Sequence, residues 1–156
     1  MLRLSKLTDY AVVVMARLAL DGAGPAGRVQ TALGLAAATG IAEPTVAKVL
    51  KLLGGAGLVE GVRGARGGYR LTRPLPAVPL AEVITAIDGP IALTACVDGG
   101  LGLCEAEGIC AVRGRWDPVN DAIRRALSGI TVADLAGPLH CPAARATASL
   151  AVIPAA

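Results

Sequence analysis

Apolar residues recur at helical spacing through the first part of the chain and predict three helices separated by short turns. The first covers residues 8–20, with Thr8 as its N-cap, and the second, rich in alanine, covers residues 28–38. The third begins at Glu43 and Pro44, because proline is favoured in the first turn of a helix. The face opposite its apolar side carries Thr45, Lys48 and Lys51.

Two short strands follow the third helix, at about residues 58–63 and 69–73. A glycine-rich turn that carries Arg63 and Arg66 joins them. A hairpin of this kind, directly after a helix with one basic face, is typical of a winged helix-turn-helix. In that arrangement the third helix enters the major groove of DNA, and the wing contacts phosphates or the minor groove.

The second half of the chain predicts two further helices on either side of a cysteine-rich loop. A proline-rich linker precedes a short helix at residues 80–88. A later helix opens at Asp117, its expected N-cap, and Pro118. Its apolar positions form one stripe: Val119, Ala122, Ile123, Ala126, Leu127 and Ile130. Such a stripe in a short chain favours packing against a second copy, and the alternative is that it covers the core of the monomer.

The predicted fold is therefore mainly α, with a winged helix-turn-helix of three helices and a two-stranded wing, then a cysteine loop and a long dimerisation helix. We expect the DNA-binding domain at residues 1–74 and the loop and dimerisation region at residues 79–136. Thr131 and Asp134 have the spacing of a capping box for a last helical turn. Residues 137–156 are predicted to be a flexible tail.

Charge is distributed unevenly along the chain. Residues 1–73 hold ten Lys and Arg against four Asp and Glu, whereas residues 74–156 hold five against eight. The basic half is the natural place for a polyanion such as DNA. Asp9 and Arg17 interrupt the apolar stretch near the N-terminus, which argues against a signal peptide, and no apolar run approaches the roughly 20 residues that span a bilayer. We expect a cytoplasmic protein with no membrane partner.

Three of the four cysteines lie between Cys96 and Cys110, spaced C-x7-C-x5-C with four glycines between them. Thiolates are soft ligands, so a flexible loop that carries three of them suits an iron–sulfur cluster or zinc. In a reducing cytosol, clustered cysteines are more often ligands or redox groups than a disulfide framework.

An enzyme is not expected. The sequence contains no paired-carboxylate site and no nucleophile next to a base, and its sole histidine, His140, lies in the predicted tail. We therefore expect no small-molecule substrate.

Five stretches together resemble one known family, the winged-helix regulators of the IscR type, and specifically the regulators of SUF iron–sulfur cluster assembly. The resemblance covers about residues 1–136. Its stretches are Leu4–Ala11, Glu43–Leu50, Arg63–Leu71, the three-cysteine loop and Ile130–Leu135.

The resemblance implies a homodimer that binds a double-stranded DNA operator and carries an iron–sulfur cluster in the cysteine loop of each subunit. It implies that Cys96, Cys104 and Cys110 are the thiolate ligands. The expected DNA contacts are Glu43, Pro44, Thr45, Lys48, Lys51, Arg63 and Arg66.

The chain departs from the family pattern in two ways. The seven residues between Cys96 and Cys104 exceed the family's commonest spacing, and Arg113 stands where some members have a histidine. In other members an aspartate of the partner subunit is the fourth ligand, and Asp9 matches its position, although a helix-terminus carboxylate is the alternative reading. Further candidates for the fourth ligand are Glu105, Glu107, His140 and Cys141.

The function expected from this resemblance is repression of iron–sulfur cluster assembly genes according to iron–sulfur status. A [2Fe–2S] cluster suits the assembly regulators and is favoured, while a [4Fe–4S] cluster suits some relatives. The alternatives are a cluster that senses nitric oxide or oxidant, a metal-free thiol switch, and a zinc-binding winged-helix protein.

Overall fold

The computed structural model describes residues 3–21, 23, 27–97 and 109–136. Within them the elements are α1 (Lys6–Ala19), α2 (Ala32–Thr39), α3 (Glu43–Gly55), β1 (Val59–Val62), β2 (Gly68–Leu71), a 3-10 turn (Leu75–Ala77), α4 (Leu80–Asp88), α5 (Asp117–Ser128) and α6 (Val132–Ala136). This mainly helical order with a two-stranded antiparallel wing confirms the predicted fold class. The expected long dimerisation helix is not clearly shown, because α5 has 12 residues and α1 has 14.

Three helices begin at residues other than those predicted. The N-cap of α1 is Ser5 and not Thr8, since the Ser5 hydroxyl oxygen accepts the backbone N–H of Thr8 at 3.2 Å. Helix α2 begins later than residue 28, because Thr31 caps it by accepting the backbone N–H of Gly34 at 3.0 Å. Asp117 is the first residue of α5 and not its N-cap.

The wing is attached to the segment that precedes α2. Strands β1 and β2 pair from Val59 opposite Leu71 to the end of the hairpin. The backbone N–H of Gln30 donates to the carbonyl of Tyr69 at 2.9 Å, and the N–H of Tyr69 donates back to Gln30 at 2.7 Å. These two bonds fix the wing relative to the start of α2.

One hydrophobic core extends through the described part of the chain. It joins residues of α1, α3 and the wing to Leu75, Val78 and Val83, and it includes Val132 from α6. The expected boundary between residues 74 and 79 therefore crosses a single cluster of buried side chains. Division of the chain into two domains stays a prediction.

Helix α6 returns the chain from α5 to the wing domain. The backbone N–H of Leu80 donates to the carbonyl of Ile130 at 2.8 Å, and the N–H of Val132 donates to Val78 at 2.9 Å. These bonds place α6 against the 3-10 turn and α1, where Val132 is buried.

The start of α6 has the carboxylate half of the predicted capping box. One carboxylate oxygen of Asp134 accepts both the backbone N–H and the hydroxyl of Thr131, each at 2.7 Å. These hydrogen bonds hold the pKa of Asp134 below its ordinary value. The capping residues are therefore identified correctly by their spacing alone.

Candidate functional site

Helix α3 has one buried face and one exposed face, as its periodicity predicts. The buried face consists of Val46, Val49, Leu50 and Leu53. The residues predicted to contact DNA lie on the other side: Glu43, Pro44, Lys48 and Lys51 are exposed, and Thr45 is half-buried. Packing of the apolar face against the core therefore directs this basic face to solvent.

Helices α2 and α3 meet at a sharp turn, which has the form expected of a helix-turn-helix. Gly40 ends α2 in the left-handed conformation with φ of 72°, a conformation that glycine adopts without steric cost. Among the described residues no single helix is long and apolar enough to cross a membrane. Helices α2 and α3 together have the length and composition of a membrane span, and a bend of 118° separates them.

The arginines of the wing fall into two groups. Arg63 and Arg66 are exposed at the turn between β1 and β2. Arg70 lies opposite Glu60 in the strand register, and its Nε donates to the Glu60 carboxylate at 2.6 Å. The two arginines at the turn are the predicted contacts with the DNA backbone or minor groove, whereas Arg70 joins the two strands of the wing.

Close backbone contacts explain why the wing ends in consecutive glycines. A Cβ on Gly67 would overlap the carbonyl oxygen of Val62, and a Cβ on Gly68 would overlap the carbonyl oxygen of Gln30. A side chain at position 67 would distort the hairpin, because Val62 belongs to strand β1 of the same hairpin. A side chain at position 68 would push the wing away from Gln30, so Gly68 sets the distance between the wing and the segment before α2.

The cysteine loop is described at its two ends. Cys96 and Cys110 are half-buried and neither forms a disulfide. The Thr94 hydroxyl lies 3.3 Å from the sulfur of Cys96. Two reduced thiols with some shelter from solvent suit soft metals such as iron in a cluster, or zinc.

Of the other candidate ligands, Asp9 lies among the described residues. Cys104, Glu105, Glu107, His140 and Cys141 lie outside the described residues. Within the described part of the chain, no three His, Cys, Asp or Glu side chains group as a metal site would require. Asp9 is exposed on the first turn of α1, so its role as a ligand for a partner subunit stays a prediction.

Asn120 holds the segment that leads to Cys96. Its side chain is 1% exposed, and it is the only residue of α5 that is fully buried. The amide oxygen accepts the backbone N–H of Leu93 at 3.0 Å, and the amide nitrogen donates to the carbonyl of Ile91 at 3.2 Å. No sequence signal identifies Asn120, because a lone asparagine in the first turn of a helix is typical of a surface position.

Asp88 connects the end of α4 to the start of α1. Its carboxylate accepts the Thr8 hydroxyl at 2.7 Å and the backbone N–H of Ser5 at 3.3 Å. Burial raises the pKa of Asp88, but the hydrogen bonds from Ser5 and Thr8 together lower it by more. The pKa of Asp88 therefore lies below its ordinary value. No local sequence signal identified this residue, since its partners lie about 80 residues away.

The apolar stripe of α5 is largely uncovered in the single chain. Val119 is 45% exposed, and Ile130 just beyond the helix is 40% exposed. Between α4, α5 and the N-terminal segment lies an open cavity of about 330 Å³. Most of its lining is aliphatic: Leu4, Ile84, Ile91, Leu93, Ile123 and Leu127.

Comparison with known proteins agrees with this arrangement. The model of the Rrf2 family, described as an iron-dependent transcriptional regulator, matches residues 4–138. The chain is 31% identical over 135 residues to the HTH-type transcriptional regulator IscR of Escherichia coli, covering 86% of this chain and 80% of IscR. The matched range includes α3, the wing and the cysteine loop.

Two solved structures are also similar. CymR, the global cysteine regulator of B. subtilis, matches with a TM-score of 0.63 and 29% identity, covering 87% of this chain and 97% of CymR. IscR of T. potens matches with a TM-score of 0.58 and 28% identity, covering 86% of this chain and 85% of that IscR. Both likenesses extend over most of the described elements.

Proposed function

This chain belongs to the Rrf2 family of transcriptional regulators, and from that premise we propose that it represses genes of iron–sulfur cluster assembly, those of the SUF system first. DNA binding and transcription regulation come with the family. Its members are regulators and not enzymes, which confirms the expectation that this chain is not an enzyme. The proposal concerns the target genes, the direction of regulation and the signal.

The exposed basic face of α3 is the observation that carries the DNA-binding part. Lys48 and Lys51 lie on it, and Arg63 and Arg66 extend the positive charge onto the wing. Lysine and arginine in such positions neutralise phosphates and set the register of the protein on the duplex. We propose that α3 enters the major groove with Thr45, Lys48 and Lys51 nearest the DNA, while the wing contacts the backbone or the adjacent minor groove.

Replacement of Lys48 by alanine tests this face. We expect Lys48→Ala to weaken binding to all duplexes alike and to lower the slope of log affinity against log salt by about one. Fluorescence anisotropy over a range of salt, on a duplex chosen by footprinting, measures both quantities. Arg124→Ala, which removes an exposed cation from α5, is the matched control and should leave the slope unchanged. An unchanged slope for Lys48→Ala would remove this lysine from the interface.

The cysteine loop is the feature that favours an iron–sulfur signal, because three thiolates in fifteen residues suit a cluster and the matching family is described as iron-dependent. We propose that Cys96, Cys104 and Cys110 hold the cluster and that Asp9 of the partner subunit completes the ligand set. When bound, a cluster, [2Fe–2S] by preference, would be held by these thiolates through Fe–S bonds. Cys96 and Cys110 are half-buried and form no disulfide, which supports this role.

The uncovered side of α5 supports the proposal that the protein is a homodimer. Ile123 and Leu127 from the stripe line the open cavity, and Val119 and Ile130 continue it along the surface. Burial of such an apolar surface away from water is favourable in free energy, and exposed apolar patches often mark protein–protein interfaces. We propose that α5 of a second copy covers it, which would also bring the two recognition helices into one complex on DNA.

Anaerobic purification with assays of iron and acid-labile sulfide tests the signal. We expect brown protein with equal iron and sulfide, and loss of both in Cys104→Ala, because that variant lacks one of the three thiolates. Cys141→Ala is the control and should keep the cluster, since Asp9 is preferred as fourth ligand. Colourless protein containing zinc would replace the cluster by a zinc site. Protein without metal after treatment with ferrous iron and sulfide would leave a regulator with another signal.

A further inference from the structure

We infer that Asp88 and Asn120 are positioning residues that hold the stretch 88–97 from two sides and so couple the Cys96 end of the loop to α1 and α5. Asp88 fastens the start of this stretch to α1, and Asn120 fastens its middle to α5. The regulatory meaning of this coupling rests on the proposed function, but the coupling itself does not.

Burial supports the inference. In the described part of the chain, the two fully buried polar side chains are Thr8 and Asn120, each 1% exposed. Thr8 donates to Asp88, and Asn120 bonds to the backbone of Ile91 and Leu93. A buried polar group costs free energy unless it is hydrogen-bonded, so each of these side chains favours the one position of the stretch that satisfies it.

The position of Asp88 at the end of α4 is explained by its contact with α1. A carboxylate at the C-terminal end of α4 is unfavourable beside the partial negative charge of that helix end. The same carboxylate accepts the Ser5 N–H at the N-terminal end of α1, where negative charge is favourable. Asp88 therefore stabilises the contact between α4 and α1.

The short distance along the chain from these bonds to the thiol makes the coupling strong. Leu93 precedes Cys96 by three residues, and Thr94 between them contacts its sulfur. We therefore expect a displacement of Cys96 to strain the bonds to Asn120 or to move α5 with it. By the same argument, release of Asn120 should loosen the stretch up to Asp88 and weaken its hold on α1. If this stretch has two alternative positions, a ligand that favours one of them would change the relative position of the two recognition helices.

Amide hydrogen exchange on the full-length, cluster-free protein tests the coupling. Loss of a buried hydrogen bond should raise exchange at the Leu93 amide about ten-fold in Asn120→Ala. The decisive readout is the Ser5 amide, which Asn120 does not contact: we expect its exchange to rise several-fold as well. In Asp88→Ala the effect should travel in the opposite direction along the chain, so that exchange also becomes faster at the Leu93 amide, which Asp88 does not contact. Asp121→Ala, exposed on the same turn of α5, is the matched control and should change neither amide.

Purely local responses would overturn the inference. If Asn120→Ala does not fold, Asp88→Asn asks the same question from the exposed end of the stretch, because it removes the charge and keeps the shape. Faster exchange confined to Ser5 and Thr8 in that variant, with Leu93 unchanged, would then be the contrary result.

A second arm separates this inference from the proposed function. Wild-type and variant proteins are treated anaerobically with ferrous iron and sulfide, and exchange is measured again. If the wild type binds no cluster, the proposed function fails, while the coupling stands or falls on the cluster-free data. If the wild type binds a cluster and the Ser5 amide responds equally in wild type and Asn120→Ala, the inference fails and the proposed function stands.

Discussion

Side chains of the wing divide between those that fold the hairpin and those that reach outward. The cross-strand pair of Arg70 and Glu60 joins the strands, and a partly exposed pair of this kind contributes about 0.2–1 kcal/mol. Arg63 and Arg66 at the turn are exposed and are proposed to contact phosphates. The same residue type therefore has different roles within eight positions, and the strand register decides which.

Gly68→Ala should destabilise the wing, because its methyl group would overlap the carbonyl oxygen of Gln30. We expect a lower melting temperature and weaker DNA binding, since the wing can no longer pair with the segment before α2. Gly61→Ala is the matched control in the same hairpin, where the nearest atom would be 3.7 Å from the new methyl group on the Tyr69 ring. Equal melting temperatures for the two variants, from calorimetry, would contradict this account of the close contact.

The Asp88 carboxylate should make part of the stability depend on pH. Its pKa is lower in the folded chain than in the unfolded chain, so the unfolded state binds the proton more readily. The stability difference between wild type and Asp88→Ala should therefore be fully present at neutral pH and shrink as the pH falls below about 4. Urea unfolding of both proteins between pH 3 and 7 measures this difference. A gap that does not change with pH would show that the charge of Asp88 makes no contribution.

At the scale of elements, α5 combines an anchored end with an uncovered side. Asn120 ties its first turn to the stretch before Cys96, and the chain beyond it pairs with the start of α4. Ile123 and Leu127 face the open cavity between these attachments. The helix is short, but both of its ends are fixed, so its apolar side is presented in one orientation.

Ile123→Glu should convert the proposed dimer to monomers. A glutamate in the apolar cavity would place an unpaired charge at the proposed interface, and an uncompensated charge there is costly. Sedimentation velocity at micromolar concentration measures the change in mass. Ser128→Glu introduces the same side chain at an exposed position of α5 and should leave the dimer intact. A wild type that sediments as a monomer, or an Ile123→Glu variant that remains dimeric, would contradict the proposed interface.

At the scale of the whole molecule, α6 closes the chain onto the wing domain. Val132 is fully buried in the same cluster as the residues of α1, and the backbone bonds between 78–80 and 130–132 support it. Motion of α5 relative to α3 is therefore limited at this end by the core itself. Under the proposed function, a signal from the cysteine loop would reach the DNA-binding face through this shared core and through the hydrogen bonds of Asp88 and Asn120.

Val132→Ala should lower the free energy of unfolding by about 2 kcal/mol, because it leaves a small cavity in the shared core. The transition should remain single, with Trp116 fluorescence and far-UV circular dichroism giving the same urea midpoint. Leu135→Ala on the same short helix, at a position 52% exposed, is the control and should cost far less. Separate midpoints for the two probes in the wild type would instead favour two domains that unfold independently.

The sequence by itself determined the elements whose stability is local. Helix α4 and the start of α3 lie where the periodicity predicts them, and Thr131 and Asp134 form the predicted capping box. Each of these features depends on residues within a few positions of one another, so spacing and side-chain type suffice. The exposed face of α3 follows for the same reason, since the apolar residues must turn inward.

Only the tertiary structure decided the roles of residues whose partners are distant in the chain. Thr8 looked like an N-cap, but its hydroxyl donates to Asp88, 80 residues away. Asn120 looked like a surface residue, but it is buried against a stretch 27 to 29 residues earlier. Hydrogen bonds of this kind form only after packing has brought the elements together, and no local pattern encodes them. These long-range bonds, and not the helix periodicity, connect the end of the cysteine loop to α1 and α5.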